Sequence, residues 1–308
     1  MNNPFKKAER KRAWLKFAIT GPSGSGKTMS SLKLMRGLVG PTGKIALIDT
    51  ENDSASLYSD VTEFDSLNIN APYTTEKYIA AIKSAIDNKY DGIVIDTISH
   101  AWAAEGGLLD QKEAIDSRGG KGEQNKFTNW SKITKKHEEF KSLLINSQIH
   151  MICTMRSKQD YVLGEGNKPQ KIGMAPVQRE GMEYEFTTVF DLAMNHSAVA
   201  SKDRTNLFDQ KIFTITEETG KSILAWQDAG KPLEPPKWSP SPEQIKTLKT
   251  IAADSGYTGI SASELLQVRY GLTSSKELTK DQYDDLCKYM QAYPVTKQDN
   301  GESDNEPT

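Results

Sequence analysis

Gly21-Pro22-Ser23-Gly24-Ser25-Gly26-Lys27-Thr28, followed by Met29, fits the spacing G-x-x-x-x-G-K-[ST]. Each residue type answers a need of phosphate chemistry. Glycines let the backbone turn so that its N–H groups point inward at phosphate oxygens. Lys27 offers a point charge to the β- and γ-phosphates, Thr28 a hydroxyl to Mg²⁺, and the start of the following helix a positive field. A strand-like run precedes the motif and a helix-like run follows it, so the chain is expected to hold ATP with Mg²⁺. A second magnesium ligand should come from the end of a neighbouring strand, and Asp96, closing the apolar run Ile93-Val94-Ile95, supplies it. The next residue is Thr97 rather than Glu, so an acid that activates water must sit elsewhere. Glu51, just past the strand Ile45–Asp49, is the leading candidate, with Asp49 and Asp53 as alternatives by proximity.

These residues must be carried by a sheet. Residues 14 to 226 alternate apolar strand-like runs (WLKFAIT, KIALID, GIVID, HMICTM) with amphipathic helix-like ones (TMSSLKLMRGLV, TEKYIAAIKSAIDN, KFTNWSKITKKHEEFKSLLIN). That alternation predicts an α/β core with a mostly parallel sheet covered on both faces. TTVFDLAMN, RTNLFDQKIFTIT and SILAW read as closing strands at one edge. The boundaries follow from composition: a basic N-terminal arm over 1–13, the core over 14–226, a Pro-rich linker over 227–240, a small helical module over 241–294 and an acidic tail over 295–308. The tail has the composition of a disordered segment. The module shows three capping-box starts, at Ser241, Ser261 and Thr279, each followed by apolar residues at helical spacing.

The chain has 308 residues, with 39 Lys+Arg against 41 Asp+Glu, a formal net charge of −2. That balance excludes a polybasic protein while leaving local patches open. No apolar run approaches the length of a membrane span. The two cysteines, Cys153 and Cys287, read as reduced thiols of a cytoplasmic protein, and the four histidines lack ligand spacing.

The P-loop, the acid Glu51 in the segment IDTENDSASLY and the lone Asp96 together resemble the RecA core, a family that includes RadA and DnaB-type ATPases. The resemblance implies a RecA-like P-loop ATPase fold over residues 14 to 226, with Glu51 as the base. Lys202-Asp203-Arg204 resembles the cation pair that such proteins insert into a neighbouring subunit's ATP site, which implies a homo-oligomer, ring or filament. Two loops in that family bind DNA, and the corresponding stretches are 106–126 and 157–180. They carry Arg118, Lys121 and Lys126, then Lys158, Lys168, Lys171 and Arg179, among glycines. Cations on flexible backbone suit the phosphates of a single strand. Arg156, closing the HMICTM strand, departs from the family's polar residue there and leaves two readings, a γ-phosphate sensor or a DNA contact.

The whole-chain pattern is most similar to phage RecA-core ATPases associated with single-strand annealing. The resemblance implies a DNA-stimulated ATPase whose partners are single-stranded DNA, further copies of itself and a single-strand-binding protein. The compartment would be the bacterial cytoplasm if the chain is phage-encoded. An annealing module with vestigial hydrolysis and a DnaB-like helicase or helicase loader are the alternatives.

Overall fold

The computed structural model describes residues 5, 7–118, 123–163, 169–232, 238–257 and 260–295. The chain divides into two compact units, Met1–Pro232 and Leu233–Thr308.

The first unit is built on a sheet of nine strands among the described residues: β1 (Lys16–Gly21), β2 (Ile45–Asp49), β3 (Asp65–Asn68), β4 (Gly92–Asp96), β5 (His150–Leu163), β6 (Pro169–Pro176), β7 (Thr188–Leu192), β8 (Ala198–Asp203) and β9 (Ile212–Phe213). They lie in the order β3-β2-β4-β5-β1-β7-β8-β9, with β6 pairing β5. The strands from β3 to β7 run parallel, and β8 and β9 close the edge antiparallel. Helices α1 (Lys27–Val39), α2 (Thr75–Asp87), α3 (Ser99–Ala103), α4 (Leu108–Arg118), α5 (Glu123–Asn146) and α6 (Glu217–Asp228) accompany it. This is the α/β P-loop architecture that the alternating runs predict.

Strand side chains alternate between faces. Phe17, Ile19, Val94 and Ile152 join Leu34, Met35 and Leu38 of α1 and Ile223 of α6 in one core. Ala18, Ile93, Ile95 and Cys153 join Tyr78 and Ile82 of α2 and Phe140 and Leu144 of α5 in the other. Burying both faces of the central strands explains why they read as continuous apolar runs. Lys16, the one charge in β1, is buried; its ammonium donates to Ser147 O (2.8 Å) and Ile149 O (2.5 Å), just beyond the C-terminus of α5. Burial lowers its pKa to about 8.

Several expectations change. SILAW belongs to α6, not to a strand. Thr216 and Thr219 form a capping box at its start, and Gly220 crosses Gly37 of α1 so closely that a Cβ on Gly37 would lie 1.9 Å from Glu217 O. Strand β8 occupies AVASKD, which carries no long apolar run. Within 106–126, residues 108–118 form α4 and α5 begins at Glu123, and β5 pairs antiparallel with β6 from Ser157↔Pro176 to Leu163↔Pro169; residues 119–122 and 164–168 lie outside the described residues. The basic arm packs back on its own unit. Arg10 O accepts from Lys231 N, Arg12 N donates to Lys231 O, and the Arg12 guanidinium meets Asp228 at 3.3 Å. Lys6, residues 233–237 of the linker and residues 296–308 of the tail lie outside the described residues.

The second unit contains α7 (Pro242–Asp254), α8 (Ile260–Tyr270) and α9 (Lys280–Ala292). Ser241 and Thr279 cap α7 and α9, each completing a box with the glutamine three residues on. Ser261 falls within α8, whose first described residue is Ile260, and its side chain lies outside the described residues. Leu248, Leu278, Tyr283, Leu286 and Met290 make the core, whereas Val268 is 85% exposed.

Candidate nucleotide site

The motif at 21–28 links the end of β1 to the start of α1. Gly24 (φ 81°) and Gly26 (φ 86°) adopt the left-handed conformation that side chains resist, and the loop wraps as a result. A Cβ on Gly21 would sit 2.5 Å from Ser25 Oγ and 2.9 Å from Leu192 O, so β7 closes against the loop's first residue. Ser25 is fully buried and can serve phosphate only through its backbone.

A cavity of about 480 Å³ opens over the loop. Ser23, Gly24, Gly26, Lys27, Thr28 and Met29 line its floor, with Glu51 and Asp96 beside them; Gly21, Pro22 and Ser25 shape the loop from behind. The wall includes residues with no motif to announce them: Ser54 and Tyr58 of the 3₁₀ turn after β2, His196 of the β7–β8 turn, and Thr214 and Ile215 after β9.

Lys27 is buried, and its ammonium donates to Pro22 O at 2.9 Å. Burial lowers its pKa, while Asp96 and Glu51 pull the other way. The side chain is thus held by the loop's own carbonyl, a weaker acceptor than a polyphosphate. Asp96 is buried between two hydroxyls: Thr28 Oγ1 donates to Oδ2 at 2.5 Å and Thr154 Oγ1 to Oδ1 at 2.5 Å. Burial raises its pKa, against which the two hydroxyls act. A hydroxyl and a carboxylate converging at the loop's helix end fit the hard oxygen donors Mg²⁺ prefers. Thr154 escaped the sequence reading, although a threonine inside the apolar run HMICTM is a visible signal.

The acids after β2 divide by role. Asp49 is buried, accepting from Glu51 N (2.5 Å) and Ala55 N (2.9 Å), so it shapes the turn. Asp53 sits in the left-handed region at φ 61° and its carbonyl accepts from Ser56 Oγ. Of the three, Glu51 lines the cavity. Its Oε1 accepts from Nε of Arg156 at 2.9 Å and forms an ion pair with Nη2, also at 2.9 Å. Arg156 therefore faces the nucleotide cavity's acid. Its N–H also donates to Ser99 Oγ (2.9 Å) and its carbonyl accepts from Val177 N (2.6 Å), at the root of the β5–β6 hairpin. His100 shares Thr50 Oγ1 through Nδ1 at 2.9 Å; burial first, then the nearby Arg156, lowers its pKa.

Lys202 and Arg204 stand apart from this cavity. β8 runs antiparallel to β7, with Thr188 opposite Asp203, so the pair lies toward the edge where β1 begins, away from the P-loop. Both side chains donate to Tyr184 O, Arg204 Nη2 at 3.4 Å. Lys158 is exposed on the hairpin, and Arg179 Nη2 donates to Thr134 Oγ1 of α5 at 3.2 Å. Lys121 and Lys168 lie outside the described residues, as do the side chains of Arg118, Lys126 and Lys171.

Among the described residues no helix is long and apolar enough to cross a membrane, and no cluster of His, Cys, Asp and Glu could hold a metal by itself. Residues 13–220 match the family described as an AAA domain, and no curated protein matches the chain.

Proposed function

The chain belongs to this AAA-domain family of P-loop ATPases, and from that premise we propose that it is a recombination ATPase of the phage RecA-core type. In this reading it binds single-stranded DNA, oligomerises with ATP at subunit interfaces and promotes strand annealing. The observation that carries it is the continuity of β5. One strand places Thr154 on Asp96, then Arg156 on Glu51, then runs out into the hairpin with Lys158. Nucleotide site and candidate DNA element thereby share a backbone.

Lys27 transfers its donors from Pro22 O to the phosphates. Thr28 and Asp96 would hold Mg²⁺, which when bound would neutralise charge on the phosphate oxygens. Glu51, released from Arg156, orients the attacking water and accepts its proton. Lys202 and Arg204 reach the ATP of a neighbouring copy and stabilise charge on the transferred phosphoryl group. The hairpin and the α4–α5 region hold the strand. The C-terminal unit engages DNA or a single-strand-binding protein.

The test is the ATPase rate with and without single-stranded DNA, with particle mass measured under both conditions. Stimulation that vanishes in Glu51→Gln while ATP binding persists supports the reading; a monomer indifferent to DNA overturns it. The Glu51–Arg156 pair favours one second reading, an annealing module gated by ATP with vestigial hydrolysis. Annealing by Glu51→Gln at the wild-type rate selects that reading.

A further inference from the structure

The turn between β7 and β8 leans on the P-loop. Its backbone closes through Ala193 N to Ser197 O (2.9 Å) and His196 N to Ala193 O (2.9 Å), and Asn195 Oδ1 accepts from Ser197. His196 is held at φ 64°, in the left-handed region. This sets the imidazole against the loop: Nδ1 is 3.0 Å from Ser25 O, and a Cβ on Gly26 would also lie 3.0 Å from Nδ1. Met194 approaches Gly24, with its Cε 3.6 Å from where a Cβ would be.

A carbonyl oxygen only accepts, so Nδ1 must carry the proton of this hydrogen bond. That fixes the tautomer and leaves Nε2 as the ring nitrogen outside this hydrogen bond. Nε2 has no partner among the described residues, and the ring is exposed where it lines the cavity. The same loop whose carbonyl Nδ1 grips turns its amides toward phosphate.

We propose that His196 is a nucleotide-binding residue. Nδ1–H anchors the β7–β8 turn to Ser25, while Nε2 takes a proton from solvent and donates it in a hydrogen bond to the bound polyphosphate. The inference rests on the reading of this cavity as a nucleoside-triphosphate site. It adds a second cation to the phosphate cradle, one that arrives with the ligand. The other titratable groups on the cavity are Lys27 and Lys33 from α1, Glu51 after β2, Tyr58 of the 3₁₀ turn and Asp96 of β4; the rest of the β7–β8 turn is uncharged, and Thr214 and Ile215 are neutral. Two cations face two carboxylates there, and a bound polyphosphate adds negative charge beside Nε2.

The test is calorimetric titration of ATP into wild type, His196→Asn and Lys27→Ala near neutral pH, in two buffers of different ionisation enthalpy. Asparagine tolerates the left-handed backbone, so the apo melting temperature should hold. ATP should bind His196→Asn about ten- to a hundredfold more weakly, and proton uptake should fall relative to wild type. Wild-type affinity with an unchanged proton count in His196→Asn overturns the proposal. Should that variant unfold, histidine nitrogen shifts in wild type decide: protonation at Nε2 on adding ATP supports it, and no change sinks it. If wild type binds ATP, Lys27→Ala does not, and His196→Asn matches wild type, this proposal fails alone. If wild type itself ignores ATP, the nucleotide reading fails with it.

Discussion

Replacing Arg156 with alanine separates the two things a cation beside Glu51 can do. The guanidinium meets one carboxylate oxygen through an Nε hydrogen bond and an Nη2 ion-pair contact, both at 2.9 Å, and the two side chains are 46% and 29% exposed. An ion pair this open to solvent is worth about 0.2–1 kcal/mol. If Arg156 only withholds the proposed base, its loss frees Glu51 and raises the DNA-independent ATPase rate by the corresponding factor, about 1.4- to 5-fold. Alanine keeps the backbone contacts of residue 156 at the root of the hairpin and removes the side-chain link from that strand to Glu51, so the same variant should lose most of its stimulation by single-stranded DNA. The assay is steady-state phosphate release at saturating ATP, with and without a homopolymeric strand, alongside nucleotide affinity. A hundredfold fall in the DNA-independent rate with ATP affinity intact would refute the reasoning. Arg156 would then act on the phosphoryl group itself.

Two further changes test the frame of the site. Gly37→Ala places a methyl group 1.9 Å from Glu217 O, forcing α1 and α6 apart; a net loss of about 1–3 kcal/mol should lower Tm by about 2–12 °C. His150 is buried with its Nδ1 accepting from Leu15 N at 3.3 Å, and burial, reinforced by Lys16, lowers its pKa to about 4. The neutral ring therefore stabilises the fold above pH 6.5, and that contribution is lost as pH falls toward 4. Urea unfolding at pH 7 and 4.5 should show about 2.5 kcal/mol of acid destabilisation from this residue, absent in His150→Gln.

The phosphate loop and the strand-end acids were legible because their chemistry is local: spacing, a strand before, a helix after. Thr154 and His196 were not, because each meets its partner across the sheet, Thr154 at Asp96 and His196 at Ser25. SILAW read as a strand for the same reason. Four apolar residues in five suit either state, and what selects the helix is Thr216 capping it and Gly220 meeting Gly37, a contact 183 residues away in sequence. The helix starts at Ser241 and Thr279 were readable outright, since a capping box lies within one turn. Within 106–126 the glycines suggest a loop, yet the run LLDQKEAIDSR is rich in helix formers and folds as α4.

The placement of Lys202 and Arg204 toward the end of the sheet where β1 begins, away from the P-loop, bears on symmetry. Opposite ends of one subunit cannot both face the same partner, so a twofold dimer could not complete both of its ATP sites with these cations. Only a head-to-tail stack could, each copy giving its cations in one direction and receiving them from the other. Such an assembly has a sense of direction. Unless it closes into a ring, one end carries a P-loop without its completing cations and the other carries cations without an ATP to reach. Growth and turnover at the two ends would then differ by construction.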